Sequence, residues 1–568
     1  MIMLNYNLMT PQANNFNQEN PLPEYPRPYL VRDSYINLNG IWNYEITTTP
    51  KLPTEYSGKI VVPYPIESAL SGVRCDLKKN EYLCYNRKIN IPTGFIKDVV
   101  LLNFGAVNQV CDIYFNGNLV GHHEGGYLPF NINVTYFVHE GENELSLVVK
   151  NKPDLNFWVG KAGKKRGGMW YTKTTGIWQT VWMESCSCDA IKRVIFYPNA
   201  KEKLVKGKVF SNGEKFKITI SYKDKLLLQE DIGKNFELKL DEIHLWDLDN
   251  PNLYSVVVEN ENDLVKSYFA FRDFYAKDGK FYLNDKPIFI NGLLDQGYFS
   301  DGIYIPATYD AYKYDILKMK ELGFNTLRKH IKLEPQMFYY YADLYGMLVL
   351  QDFPNSGKYR FIRDTALPTI GFKKVSDKRR NVSKKRKQTF LNSATRLVKL
   401  LYPHPSVVYY TIFNEGWGQF HSDEFYRHFK SYDPSRVFDS TSGWFWQKES
   451  DCDSIHVYFK KVKLPQKSDR PIMLSEFGGY SWQVNGHSFN DGKVYGYKIL
   501  KSKEELTDAF VKLYERDVIG LIPHGLAGSI YTQVSDVEDE TNGILTYDRQ
   551  IVKLDEEKVK EVMKRVKY

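Results

Sequence analysis

Two glutamates stand in the same kind of place in this chain. Glu415, in "FNEGWGQ", directly follows the apolar run "VVYYTI", and Glu476, in "SEFGG", directly follows "IML". A carboxylate at the end of a buried strand is costly to hold unless it has a partner or a task, because burial penalises the ionised form. Two such groups facing each other, one kept protonated and one kept ionised, supply an acid and a nucleophile or base. That is the machinery needed to break a glycosidic bond. Carboxyls about 5 to 5.5 Å apart lead to retention at the anomeric carbon, and about 6.5 to 9.5 Å to inversion; the spacing is not readable from the residues.

The two glutamates meet only if a fold brings strand ends together. From residue 280 onward, apolar runs alternate with helical patterns. "PIFING" is followed by a helix opening at Thr308, with Tyr312, Ile316 and Met319 on one face and Gly323 as its stop. "FNTLR" precedes a second helix that begins after Glu334-Pro335 and ends at Gly346, and "MLVL" follows. With "VVYYTI", "VFDS", "IHVY", "IMLS" and "GSIY" the strands number eight, the count that closes a parallel (β/α) barrel with its site at the strands' C-terminal ends. A doubly wound open sheet is the alternative, but no Gly-rich phosphate turn follows an early strand. The polar residues at the barrel's strand ends are then Asp295, Gln296, Arg328, His330, Asp352, Asn414, Glu415, Trp444, His456, Tyr458, Glu476, Gln533, Ser535 and Asp536, with Asn542 shortly after the eighth strand; of these, Asp295, Arg328, His330, Asp352, Asn414, Trp444, His456, Tyr458, Gln533 and Asn542 are the residues expected to bind the substrate.

Upstream, residues 28–185 read as short alternating runs broken by Gly, Pro and Asn. In "VCDIYFNGNLVGHH" the alternation of Cys111, Ile113 and Phe115 and the Asn116-Gly117 turn predict a hairpin in a β-sandwich. A second β region, about 189–275, has the length of an immunoglobulin-like sandwich. The expected organisation is a β-sandwich over 1–188, an immunoglobulin-like β-sandwich over 189–276 and a TIM barrel over 277–568.

The composition narrows the function class. At 43% hydrophobic and 25% charged over 568 residues the chain is globular and multidomain. Its 42 Tyr and 10 Trp suit stacking on flat ligands as well as core packing. The net charge of +8 is mild, and the one basic cluster, "SDKRRNVSKKRKQTF" at 376–390, has no interleaved aromatic platform, so nucleic acid is not the expected partner. Six scattered cysteines form no disulfide framework, and Cys186-Ser-Cys188 lacks zinc-ligand spacing, so no metal and no cofactor is expected. No apolar stretch near 20 residues and no signal pattern at the start point to a cytoplasmic protein with no membrane partner. Self-association is left open.

These residues resemble glycoside hydrolase family 2, which includes β-galactosidases, β-glucuronidases and β-mannosidases. "RPYLVRDSYINLNGIWNYEI", "FGAVNQVCDIYFNGNLVGHHEGGYLPF" and "TTGIWQTVWME" look like its sugar-binding jelly roll, "HLWDLDNPNLY" like the close of its immunoglobulin-like domain, and "GFNTLRKH", "FNEGWGQ" and "SEFGG" like its barrel. The resemblance implies that Glu415 is the acid/base, that Asn414 holds the sugar 2-hydroxyl and that Glu476 is the nucleophile of a retaining hydrolase acting on a glycoside or oligosaccharide. The chain departs from the better-known branches. Where glucuronidases carry an Asn-x-Lys pair, Asn542 occupies the lysine's place, and Glu538, Asp539 and Glu540 would repel a uronate. Trp170 stands where galactosidases carry an Asp six residues before Gly176, and His330 falls one residue early for their Arg-x-x-His-Tyr-Pro segment. "LVLQDFP" is closer to the mannosidase pattern. The resulting expectation is an exo-acting enzyme for a neutral sugar, with a β-galactoside first and an α-L-arabinoside or β-mannoside next; a carbohydrate-binding protein without catalysis is the alternative of a different class.

Overall fold

In the computed structural model, residues 2–3, 8–150, 154–162, 166–372, 374–378, 381–465 and 469–568 are described, residues 2–3 by backbone alone. The N-terminal part packs a six-stranded sheet against a four-stranded one, all antiparallel. The hairpin Val110–Phe115 and Asn118–Glu124 turns through Asn116 (φ 48°) and Gly117 (φ 76°), as the primed two-residue turn requires. Cys111, Ile113 and Phe115 face inward to meet Leu102, Leu145 and Leu147. The next seven strands form a three- and a four-stranded sheet over a core of Val205, Ile218, Ile220, Val256 and Val265. A hairpin, Phe274–Lys277 and Lys280–Leu283, follows and straddles the boundary expected at 276/277. Its Phe274 and Phe281 join Ile290, Leu348, Val408 and Ile530 in one apolar cluster, which fills the N-terminal end of the barrel.

The eight parallel strands are Ile290–Asp295, Thr326–Lys329, Leu348–Asp352, Val407–Thr411, Val437–Asp439, Asp453–Val457, Ile472–Gly478 and Leu526–Thr532. They are hydrogen-bonded in the cyclic order 5-4-3-2-1-8-7-6, with a gap in the ladder only between strands 5 and 6. Strand 5 is only three residues long, so side chains do part of the joining there: Ser454 Oγ donates to Asp439 Oδ2 at 2.7 Å. The first two helices span Asp310–Glu321 and Gln336–Tyr345, the second ending on Gly346 in the left-handed conformation. Among the described residues no helix is long and apolar enough to cross a membrane.

One buried acid in the N-terminal sandwich makes stability depend on pH. Glu67 has no solvent exposure and accepts hydrogen bonds from Thr175 N at 2.9 Å and Thr175 Oγ1 at 2.6 Å. Burial outweighs these donors and pushes its carboxyl up from 4.5 to about 8. The folded state therefore holds this proton where the unfolded chain has lost it, and the stabilisation drains away as pH rises through 4.5 to about 8. Glu67→Gln is expected to flatten the fall in thermal midpoint across this interval, by a difference equivalent to on the order of 1 kcal/mol or more. Parallel melts of the two proteins at each pH check this, and identical pH profiles would refute it.

Candidate active site

Glu415 is held where strand 4 gives way to a tight loop. Its backbone is left-handed, φ 51°, a conformation unfavourable for a residue with a Cβ and one that clusters at functional sites. Its N–H donates to Ser442 O at 3.0 Å, tying the end of strand 4 to the end of strand 5. The glycines flanking Trp417 allow the turn: Gly416 and Gly418 have φ of 66° and 67°, and a Cβ on Gly418 would fall 1.9 Å from the Ser356 carbonyl oxygen. The loop is clamped from below by Arg386, which donates to Ser356 O at 2.9 Å and to Gly418 O at 2.6 Å. Part of the basic 376–390 cluster thus has a positioning task. Lys387 pairs with Glu424 at 2.9 Å, while Arg379 and Arg380 lie outside the described residues.

Glu476 sits inside strand 7 and is only 4% exposed. Arg328 Nη1 donates to its Oε1 at 3.2 Å, and Tyr458 OH donates to its Oε2 at 2.6 Å. The same guanidinium reaches Asp352 Oδ1 at 2.9 Å, Asn414 Oδ1 at 2.9 Å and the Ser475 carbonyl at 2.8 Å. One planar cation therefore sets the relative positions of strands 2, 3, 4 and 7 at the cup's floor. Asp352 completes this layer by accepting from His330 Nδ1 at 2.8 Å; despite burial, Arg328 and His330 hold its carboxyl down at about 2. Arg328→Lys keeps the charge but not the fork, so Glu476 and Asn414 cannot both be held. A loss of about 100-fold in kcat is expected, with a measurable drop in thermal midpoint; a kcat within about threefold of wild type would show that the fork is dispensable.

The two glutamates and His456 converge. One side-chain ligand atom from each, carboxylate oxygen or imidazole nitrogen, lies within 4.8 Å of the other two. His456 Nδ1 is 2.8 Å from Glu415 Oε1 and 3.5 Å from Glu476 Oε2. Three such groups are a conceivable cation cradle, but Arg328 and Tyr458 already occupy both oxygens of Glu476, and a dication would have to displace or face the guanidinium. The donor set suits an organic substrate better. Burial raises the carboxyl of Glu415 above its ordinary value, with Lys161, His330 and Arg328 opposing. The shift is in the direction an acid needs.

Of the other residues expected here, Asn414 and Tyr458 line the same cup. Trp444 packs edge-on to His456 at 5.7 Å, its buried Nε1 having no partner among the described residues, while its neighbour Trp446 is turned to the outside and donates to Ser454 O. His330 is in the layer beneath, bound to Asp352. Gln533 Nε2 donates to Asn542 Oδ1 at 2.7 Å, and Asn542 Nδ2 donates to Glu540 Oε1 at 3.1 Å. Asp295 is not brought into the cup. Its carboxylate pairs with Lys329 at 2.8 Å and takes the Gly297 N–H, because Lys329 follows inward-facing Arg328 and so points to the opposite side of strand 2. That side carries a buried network in which Lys329 and Lys332 share Glu334.

Several residues around the cup come from a part of the N-terminal sandwich without strand or helix periodicity, of which residues 154–162 and 166–172 are described. It is fastened to the barrel by Val159 N to Asn355 O at 2.9 Å, Gly357 N to Leu155 O at 2.8 Å and Thr172 N to Glu538 Oε1 at 2.8 Å, and by Tyr171 OH donating to Glu540. It delivers Lys161 close enough to influence Glu415 and Glu540, and Trp170 to within 5.0 Å of the Trp417 and Tyr359 rings. Tyr497, from the loop after strand 7, stacks on Tyr458 at 3.8 Å.

Comparison with known proteins agrees along the chain. A β-galactosidase of Thermoanaerobacterium thermosulfurigenes is 27% identical over 305 residues, covering 48% of this chain and 41% of its own length. A β-glucuronidase of Streptococcus agalactiae serotype V is 24% identical over 420 residues, 69% of this chain and 68% of its own. This chain thus matches less than half of that galactosidase's length. Among solved structures, the β-D-glucuronidase of Dictyoglomus thermophilum superposes with a TM-score of 0.76 at 19% identity, over 95% of this chain and 98% of that one, a likeness of fold. The family models for the sugar binding domain and the TIM barrel domain of glycosyl hydrolases family 2 match residues 36–184 and 274–568, and a third model of the same family matches 191–272. The chain, an N-terminal sugar-binding sandwich, an immunoglobulin-like sandwich and a TIM barrel, belongs to glycoside hydrolase family 2.

Proposed function

We propose that this hydrolase is a retaining, exo-acting glycosidase for a neutral sugar, with β-galactosides as its first substrate class. The observation that carries the retaining mechanism is the approach of one carboxylate oxygen of Glu415 to within 4.8 Å of one of Glu476. A contact this short agrees with the separation of about 5 to 5.5 Å between the carboxyls of enzymes that attack the sugar directly, rather than the about 6.5 to 9.5 Å that seats a water for inversion. Glu476, with donors on both oxygens, attacks the anomeric carbon. Glu415 gives its proton to the leaving oxygen, and then takes one from the water that hydrolyses the glycosyl ester. Asn414, fixed by Arg328, holds the 2-hydroxyl in this reading. The docking of residues 154–162 and 166–172 against the barrel supports action at a chain end rather than along a through-going groove.

The choice of a neutral glycone rests on the region after strand 8. Glu540 is buried, and burial together with the negative field of Glu476 raises its carboxyl, against Lys161, Tyr171 and Asn542. A uronate brought there would add a third carboxylate to that field. A second reading, a β-glucuronide, is favoured by one observation: Lys161 supplies a cation on the same side of the cup, within the range of both Glu415 and Glu540. Hydrolysis of a panel of 4-nitrophenyl glycosides separates the two. The proposal expects the β-galactoside to be cleaved fastest, with the α-L-arabinoside and β-mannoside next; a β-glucuronide cleaved fastest would establish the second reading. Tight sugar binding with no hydrolysis of any member would leave a binding protein.

A further inference from the structure

His456 touches both glutamates, yet its side chain has no solvent exposure and its two nitrogens are already engaged, which leaves it poorly placed to hold a sugar hydroxyl. Nδ1 faces Glu415 Oε1 at 2.8 Å, and Nε2 lies 3.0 Å from Ser442 Oγ. Ser442 Oγ is 3.0 Å from Ser475 Oγ, which in turn reaches the Ile455 carbonyl oxygen at 3.3 Å. A peptide carbonyl can only accept, so the direction of the chain is set from that end. Ser475 gives its proton to Ile455, Ser442 gives its proton to Ser475, and the Ser442 oxygen is left to accept from His456 Nε2–H. When the imidazole is neutral, its one proton is then on Nε2, and Nδ1 presents a lone pair directly toward Glu415. The ring lies close against the Gly443 backbone, where a Cβ would stand 2.7 Å from Nδ1, and Trp444 packs on it edge-on.

We propose that His456 is a positioning residue that biases Glu415 toward holding a proton, with the Ser442–Ser475–Ile455 chain fixing the tautomer that makes this work; this rests on Glu415 being the acid/base. In the resting enzyme the Glu415 O–H donates to Nδ1. In the first step that proton passes to the glycosidic oxygen as the bond from C1 to that oxygen breaks, the electron pair staying on the oxygen, while a Glu476 oxygen bonds to C1. A carboxylate and a lone pair then face each other 2.8 Å apart with no proton between them. The repulsion ends when Glu415 takes a proton from the incoming water, whose oxygen bonds to C1 as the ester bond breaks and Glu476 leaves as a carboxylate. The contact is attractive when Glu415 is protonated and repulsive when it is not, so it favours the acid before the first step and the base after it. The charged and titratable groups facing this pair are Glu476, Tyr458 and Tyr497 beside it, Arg328 and His330 beneath, and Lys161, Asp364, Tyr359 and Tyr495 around Glu415. Lys161, His330 and Arg328 favour the ionised form; His456 works with burial and Asp364 against them.

The test compares wild type, His456→Phe and Ser442→Ala on a phenyl glycoside, whose leaving group needs a proton, and a 2,4-dinitrophenyl glycoside, whose leaving group does not. Ser442→Ala keeps the imidazole but frees its tautomer. In both variants the alkaline limb of kcat/KM for the phenyl glycoside is expected to move down by about one pH unit, with about a tenfold loss at neutral pH and a loss under about threefold for the dinitrophenyl substrate. A limb that stays within about 0.2 unit in Ser442→Ala overturns the proposal, whether or not the His456 variant folds. Glu415→Ala, run alongside, separates the two ideas: if its losses do not depend on the leaving group, the acid/base assignment itself falls.

Discussion

Glu476→Gln is expected to lower kcat by at least about 10⁴-fold while leaving a folded protein that still binds the glycoside, the scale seen when a covalent nucleophile is removed from a hydrolase. The substitution preserves shape. An amide oxygen still accepts from Arg328, and Arg328 itself stays anchored by Asp352, Asn414 and the Ser475 carbonyl. Tyr458, deprived of one acceptor, has Thr532 Oγ1 at 3.2 Å as another. The fold therefore survives, but an amide cannot form the glycosyl ester. A 2-deoxy-2-fluoro glycoside with a good leaving group, which slows the second step, should accumulate that ester in wild type. Mass analysis of peptides is expected to place the label on Glu476 and to find none in the variant. A label on another residue, or turnover within about tenfold of wild type, would remove Glu476 from the role.

How much of this was legible beforehand depended on whether the signal was local. Each barrel strand is a short apolar run bounded by turn chemistry, so all eight were readable, and the residue after each run pointed to the cup. Glu415, Glu476, Asn414 and Arg328 belong to this class. Asp295 shows the rule's weakness. It also ends a strand, but its direction depends on the partner offered by the neighbouring strand, Lys329, and pairing across strands leaves no mark in a single run of residues. His456 was expected to meet sugar; the tautomer-setting chain through Ser442 and Ser475 joins residues up to 33 apart, each an ordinary serine in the sequence.

The residues that sequence reasoning missed share one property. Lys161 and Tyr171 lie in the irregular stretches 154–162 and 166–172, and Tyr171 meets Glu540 across 369 positions. Tyr495 and Tyr497 lie in the loop between strand 7 and its helix. Neither stretch has an amphipathic period, so only the docking of the first sandwich on the barrel reveals that they face the site. Trp170 did carry a signal, as a departure where an Asp was expected, but its setting beside Trp417 and Tyr359 came only from the fold. The rim is thus written by long-range contacts and the floor by strand periodicity, which is why the reaction class was readable and the sugar was not.

Glu415→Ala is expected to separate substrates by their leaving groups. A phenyl glycoside should lose about 10³-fold in kcat/KM, because its oxygen departs only with a proton. A 2,4-dinitrophenyl glycoside should keep most of its kcat/KM and lose kcat instead, since the glycosyl ester on Glu476 forms and then waits for a water with no base to activate it. Azide should restore that kcat: a small anion fits the space vacated by the side chain, which is already 19% exposed and close to Lys161, and it needs no base. The product should be the glycosyl azide with the substrate's own anomeric configuration, as a second displacement requires. The pH profile carries a further sign. Burial raises the wild-type Glu415 carboxyl, so the acid persists to higher pH than an ordinary glutamate's, and activity is lost as pH rises through that elevated value. That limb should vanish in the variant. A loss equal for both leaving groups would make Glu415 a structural residue, and an azide of opposite configuration would show that the two carboxyls do not perform successive displacements on one carbon.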